Sequence, residues 1–214
     1  MVTFEDVKNN PEVQELIVGA QKQLDALGYT EHAHRHVSIV SNRAGKILET
    51  LGYDEHRIEL AKIAGYLHDI GNGVNRVDHA HSGAILAYTI LKDMGMDIKD
   101  RMEIMSAIGN HDEATGTAVS DISAALILAD KSDVHRDRVV NKNLTRFEIH
   151  DRVNYAVTEA NLKISKEERK VTLDLTIDTN ICPFLDYFEI FMERTMMSKY
   201  AAKYLQIWFE LVIN

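Results

Sequence analysis

The stretch AGYLHDIGNG, residues 64–73, sets a histidine beside an aspartate at the end of an otherwise apolar run. Burying a carboxylate or an imidazolium alone is costly, so His68 and Asp69 need partners, either hydrogen bonds or a metal ion. Ala64 and Gly65, one turn earlier, are small enough to let a neighbouring helix approach closely. Gly71 is expected to end the helix that begins near Asp54 and carries Ile58, Ala61, Ile63, Ala64 and Leu67 inward. His68 and Asp69 then lie in its last turn, and GNGVNRVDHA follows as a polar, glycine-rich loop.

Working outward, local signals divide the chain into helices. Asn10 before Pro11 reads as an N-cap with proline at the first helical position, and that helix should run to about Leu27 before Gly28. A second is expected from near Glu31 to Leu51, with Gly52 as a left-handed cap. Beyond the loop, a fourth helix should start near His81 and end at Gly95. A fifth over Ile98 to Asn110 delivers His111 at its end, and a sixth, DISAALILADKSDVHRDRV, is capped by Ser120 or Asp121. After about residue 150 the pattern changes. VNYAVTEANLKI and KVTLDLTID alternate around the charged turn SKEER, which predicts a β-hairpin. Pro183 then opens a long helix dense in Phe, Tyr, Met and Trp, whose aromatic stripe reads as core-facing. The expected fold is mainly α: a helical bundle over residues 1–150, with a hairpin and long helix over 151–214 packed on the same body.

Composition narrows the function classes. At 214 residues the chain can bury one sizeable core. Its 45% hydrophobic and 27% charged residues suit a globular protein. No run approaches the roughly 18 apolar residues of a membrane span, and the acidic, helix-like start MVTFEDVKNNPEVQEL is unlike a secretory signal, so a cytoplasmic protein is expected. A net charge of −9 argues against general nucleic-acid binding. Cys182 is the only cysteine, with no internal disulfide open to it, and reads as a small buried hydrophobe.

The ten histidines are unevenly spread: His32, His34, His36, His56, His68, His79, His81 and His111 precede His135 and His150. That clustering favours metal binding. His36 lies in the second helix, His81 opens the fourth, His111 closes the fifth, and Asp130 sits within the sixth. In a helical bundle, residues from several helices can converge on one interior point. Imidazoles mixed with carboxylates suit Mn, Fe, Zn, Ni or Co better than calcium.

The series H…HD…H…H…D, with its LHDIG context, the H-x-x-x-V of HRHVSIV and the AD of ILADKSD, resembles the HD superfamily of metal-dependent phosphohydrolases over about residues 30 to 140. The resemblance implies an HD-type helical domain in which His36, His68, Asp69 and Asp130 hold a first divalent transition metal. It also implies that Asp69 bridges to a second metal, for which His81, in HSGA, and His111 match the additional ligands. His79, two positions from His81, is the alternative ligand. IGNHDEATGTAV looks like the HHE…G segment of the Gly-Tyr-Pro subgroup, but Asp112 stands where that subgroup has a second histidine, and the tripeptide itself is missing. Asn72 stands where many relatives have lysine after HDIG, which removes a phosphate-contacting ammonium. His32 and His34 are expected to face solvent or support the ligands, and His56, His135 and His150 to be surface residues.

Two cations bridged by Asp69 would lower the pKa of a shared water and neutralise phosphoryl charge. Asp112 or Glu113, beside His111, could exchange a proton or orient the imidazole. Lys131, His135, Arg138 and Lys142 recur at steps of 4, 3 and 4, so one continuing helix would align them on one face for a substrate phosphate or as a solvated stripe. Arg76 and Asn75, in the loop at the expected mouth, are further candidates for phosphate contact, and Asn72 lies beside them. The expected activity is hydrolysis of a phosphomonoester or phosphodiester of a nucleotide or other small metabolite. The alternatives are a mixed-valent di-iron oxygenase with the same ligand set, and a non-catalytic nucleotide-binding protein. Self-association as a homodimer is expected through the C-terminal region.

Overall fold

Helix starts follow the capping chemistry, as seen in a computed structural model that describes residues 2–28, 34–139 and 149–214. Thr3 caps α1 (Phe4–Lys8) in a reciprocal capping box with Asp6. The Asn10 side chain accepts from the N–H groups of Glu12 and Val13 at the start of α2 (Pro11–Leu27). α3 (His34–Leu51) is followed by α4 (Glu55–Leu67), capped by Asp54. Then come α5 (His79–Asp93), α6 (Ile98–Gly109) capped by Asp97, and α7 (Asp121–Lys131) capped by Ser120.

α7 is the centre of the body, because every residue from Ile122 to Lys131 is buried. A helix apolar on nearly all sides has to be surrounded, and α3, α4, α6 and α9 pack around it. Gly65 explains how α4 comes so close to α3: a Cβ there would stand 2.8 Å from Ser41 Cα, which is backbone. This close approach is the one expected from the small residues ahead of His68.

The C-terminal part is more mixed than its periodicity predicts. α8 (Ile149–Ala156) takes up the beginning of the expected first strand. β1 (Val157–Ser165) and β2 (Lys170–Ile177) then form the antiparallel hairpin, in a register running from Val157 opposite Ile177 to Ser165 opposite Lys170. α9 (Phe184–Tyr204) ends well before the chain does, and WFELVI forms β3 (Trp208–Ile213), parallel to β2. The helix between two parallel strands is thus a crossover connection. Val171, Leu173, Leu175 and Ile177 alternate inward from β2. Leu173, Leu175 and Ile177 join Tyr187, Phe191 and the buried Cys182 beneath the sheet, while Val171 packs into the main helical core. Among the described residues no helix is long and apolar enough to cross a membrane.

Three boundaries differ from expectation where they bear on chemistry. α4 ends at Leu67, so His68 closes it and Asp69 leads into a short 3-10 helix over Ile70–Gly73. α5 begins at His79 rather than His81. The sixth helix stops at Lys131, with a separate 3-10 turn over Arg136–Arg138, so Lys131, His135 and Arg138 do not share one helix face. His32, Lys142 and the side chain of His150 lie outside the described residues.

Candidate metal centre

Five helices and the turn after α4 deliver side chains to one buried point. His36 comes from α3, His68 from the end of α4, Asp69 from the turn after it, and Asp130 from the last turn of α7. His111, just past α6, and His79, the first residue of α5, complete the cluster. All six are buried. Gly71 makes the α5 contribution possible, because a Cβ there would stand 2.0 Å from the His79 carbonyl oxygen and 2.4 Å from the Gly83 nitrogen. Its role is close approach rather than a left-handed helix stop, as its absence from the positive-φ glycines shows.

Asp69 divides the cluster in two. Its Oδ2 lies 3.6 Å from His36 Nε2 and 3.3 Å from His68 Nε2. Its Oδ1 lies 3.5 Å from His79 Nε2 and 3.9 Å from His111 Nε2. Asp130 Oδ1 joins the first side, 3.3 Å from His36 Nε2 and 3.6 Å from His68 Nε2. Two compact donor groups follow, His36–His68–Asp130 and His68–Asp69–His111, each with its ligand atoms within 4.8 Å of one another.

The histidine tautomers fit this set to a cation. Nδ1 of His68, His79 and His111 lies 2.9, 3.1 and 2.6 Å from the carbonyl oxygens of Gly65, Arg76 and Ile108. His36 Nδ1 lies 2.7 Å from Asp133 Oδ2. A carbonyl can only accept, so each Nδ1 must carry the proton, and the neutral ring presents its Nε2 lone pair inward. Those Nε2 atoms face each other in pairs, His36 with His68 and His79 with His111, each at 3.3 Å. Two neutral acceptors at that separation call for a positive charge between or beside them. A mixed imidazole and carboxylate set suits a divalent transition metal, and these residues would hold one or two.

Without a cation the cluster stores a proton instead. Burial opposes charge on His68, but Asp69 and Asp130 outweigh it and raise its pKa to about 10. Burial, with positive His68 and Lys131 nearby, pushes His111 down to about 3. Asp130 is held well below the usual carboxylate range: burial works against ionisation, but Lys131, His36 and His68 overcome it. Asp133 is likewise lowered, its own burial overridden by His36, Arg138 and Arg35.

Beside the cluster is a small cavity of about 20 Å³, lined beyond the ligands by Arg76, Asp112, Glu113, Lys131, Arg138 and Arg194. Lys131 is buried, 2.8 Å from Asp130 Oδ2 and also ion-paired with Glu113. Its ammonium therefore holds two carboxylates rather than standing open to a substrate. Burial raises the Glu113 pKa, yet Lys131 and Arg194 bring it down to about 2. Arg138 Nη1 donates to the Asp133 carbonyl at 2.7 Å. Asn72 is buried, and its amide donates to Asp69 Oδ1 and to the Asp69 carbonyl, each at 3.0 Å. Its own Oδ1 accepts from Arg76 at 3.2 Å. The residue in the position of the missing lysine thus orients the central carboxylate, and Arg76 braces it.

One expected ligand lies outside the cluster. His81 points to solvent with its side chain 54% exposed, 3.6 Å from Asp78. Two residues along a helix is a rotation of about 200°, so with His79 facing Asp69, His81 must face away. His34 is exposed, His56 lies 2.9 Å from Asp100, and His135 lies 2.9 Å from the Thr158 carbonyl, all apart from the cluster. Two contributors escaped the sequence reading. Asp133, which no motif singles out, is buried against His36. Arg194 had no signal beyond its place in an aromatic helix.

Comparison with known proteins bears on the same segment. Over 134 residues the chain is 32% identical to an uncharacterized protein of Methanocaldococcus jannaschii, covering 52% of this chain and 51% of that protein. The chain thus spans about half the length of this curated relative. A crystal structure of a predicted HD superfamily hydrolase from an uncultured Thermotogales bacterium is 31% identical, with a TM-score of 0.46, over 58% of this chain and 67% of that one. The HD domain family matches residues 34–142, the span that carries His36, His68, Asp69, His79, His111 and Asp130. With more than half of its length matched, this chain belongs to the HD domain family.

Proposed function

We propose that this protein is a metal-dependent phosphohydrolase that cleaves a phosphomonoester or phosphodiester of a nucleotide or other small metabolite, using divalent metal that His36, His68, Asp69, His79, His111 and Asp130 would hold. One observation carries the reading: a carboxylate with His36 and His68 on one oxygen and His79 and His111 on the other, opening on a cavity walled by cationic side chains. Divalent cations in such a site supply Lewis acidity, which makes water acidic enough to attack near neutral pH and offsets charge building on a phosphoryl oxygen.

The protein's own groups divide the remaining work. Asn72 and Arg76 fix the carboxylate plane of Asp69, and Asp133 fixes the ring of His36. Lys131 holds Asp130 and Glu113 in place. Because Glu113 is kept ionised, with a pKa of about 2, it is a weak base and serves as counter-charge. Asp112, also on the cavity wall, is the carboxylate assigned to move a proton. Arg76 and Arg138, each already held by protein partners, add positive potential to the cavity that an anionic group would enter.

The test is turnover of a broad phosphoester panel by protein loaded separately with Mn, Fe, Ni, Co or Zn. Hydrolysis that disappears together with bound metal in His68→Ala and Asp69→Ala supports the reading. Absence of turnover with every metal, or unchanged metal content in both variants, refutes it. Substrate-dependent oxygen uptake by reduced iron protein would put the oxygenase in its place. Nucleotide-induced stabilisation with no product would put a binding protein there.

A further inference from the structure

The cavity beside the metal ligands has one wall that the HD segment does not supply. That segment ends at residue 142, and Arg194 comes from α9, beyond the hairpin. We infer that Arg194 binds the phosphoryl oxygens of the substrate, so that the C-terminal unit completes the substrate site; this rests on the phosphohydrolase reading above.

The assignment comes from comparing the cations on that wall. Lys131 is already matched by Asp130 and Glu113, Arg138 lies against Asp133, and Arg76 donates to Asn72. Arg194 makes no ion pair within 4.0 Å among the described residues. Its Nη2 reaches only the Asp130 carbonyl, at 3.4 Å, and its buried Nε has no hydrogen-bond partner there. A shielded guanidinium N–H left unsatisfied is costly. An entering oxyanion would satisfy it, and the planar fork of guanidinium matches phosphoryl oxygens in pairs. The Phe191 ring lies 5.2 Å from its Cζ and supports it from the C-terminal core. At about 20 Å³ the cavity holds little more than a water. A phosphoryl group must therefore displace a long side chain as it enters. Arg194, half-buried and held to the wall by a single long hydrogen bond, is the one set to swing and close on the anion.

The experiment compares wild type, Arg194→Gln and Arg194→Lys as full-length, metal-loaded proteins, with inorganic phosphate as the calorimetric probe. Metal content, melting temperature and phosphoester kinetics are measured alongside. Arg194→Gln should weaken phosphate binding by roughly 10- to 100-fold, the scale of a charge-assisted hydrogen bond, with metal content unchanged. Arg194→Lys should recover part of the loss. Unchanged phosphate affinity in a folded Arg194→Gln protein, or no phosphate binding by wild type, overturns the inference. Should Arg194→Gln not fold, the lysine variant decides: weakened binding supports the inference, and wild-type affinity overturns it. Arg194-dependent phosphate binding in a protein that hydrolyses no ester would end the phosphohydrolase reading and leave the role of Arg194 standing. Normal hydrolysis with unaltered KM and phosphate inhibition in Arg194→Gln would do the reverse.

Discussion

Replacing Gly71 by alanine tests whether the turn after His68 truly sets the position of α5. The new Cβ would lie 2.0 Å from the His79 carbonyl oxygen, whereas ordinary contact begins near 3.4 Å, so the two backbones must part by about 1.4 Å. The neighbour is main chain on both sides, with Gly83 N at 2.4 Å, and no flexible side-chain end can yield instead. Forced overpacking of this kind costs about 1–3 kcal/mol or more. For a chain of this size that corresponds to roughly 2–12 °C in Tm. The same displacement carries His79 away from Asp69, from which it now stands 3.5 Å. Gly71→Ala should therefore lose both stability and bound metal. Gly73→Ala, two residues on, is the control, since its Cβ would meet nothing closer than 3.6 Å. That variant should keep its Tm, or gain slightly through the less flexible unfolded chain. Thermal melts with elemental analysis measure both quantities. If Gly71→Ala matches Gly73→Ala in Tm and metal content, the close-approach argument is wrong.

His79→Ala should remove metal from the Oδ1 side of Asp69, about one equivalent of two, while His81→Ala leaves metal content at the wild-type level; elemental analysis of both variants checks this. Asp133→Asn weakens the hold on the His36 ring and should lower metal affinity by roughly 10- to 100-fold, measured by competition with a chelating dye. The raised pKa of His68, about 10 against an ordinary 6.5, gives metal-free protein a contribution to stability. It is fully present below pH 6.5 and is lost as pH rises through 10. At pH 8 the stored proton must leave when a cation takes Nε2, so calorimetry in buffers of different ionisation enthalpy should record proton release on loading, and metal affinity should fall as pH falls. A proton count of zero at pH 8 would contradict that picture.

Local chemistry was legible in the sequence wherever one residue decides an outcome. Asn10 with Pro11, Asp54 and Ser120 announce helix starts, and Gly65 announces a close crossing. The order of His36, His68, Asp69, His111 and Asp130 could be read because each sits at or near a helix end with a recognisable context. His79 and His81 could not be separated, because the choice depends on where α5 begins, and no capping residue marks that start: Asp78 takes a left-handed conformation with no side-chain cap. The stop at Lys131 is equally unmarked, with neither glycine nor proline nearby, so the expected sixth helix runs on past Asp133, which the structure instead sets against His36. WFELVI continues the apolar character of α9, and only pairing with β2 makes it a strand. Arg194 reaches the cavity through the packing of α9 on α7, a tertiary event with no local signature.

The anchoring of all four imidazoles through Nδ1 has a consequence for how this protein acquires metal. In small metal-folded domains the ligands find their places only as the ion arrives, so stripping the ion unfolds the chain. Here two rings are fixed by carbonyls near the ends of their own helices, the third by the Arg76 carbonyl in the loop before α5 and the fourth by Asp133, and the apolar body holds those elements in place. Loading is therefore an exchange reaction on a finished scaffold. A chelator should empty the site and leave the circular dichroism of the helices unchanged, and re-addition should restore occupancy without refolding. A rigid frame of mixed nitrogen and oxygen donors ranks first-row ions mainly by their intrinsic affinities. The ion found in purified protein would then record the metal supply of the cell that made it.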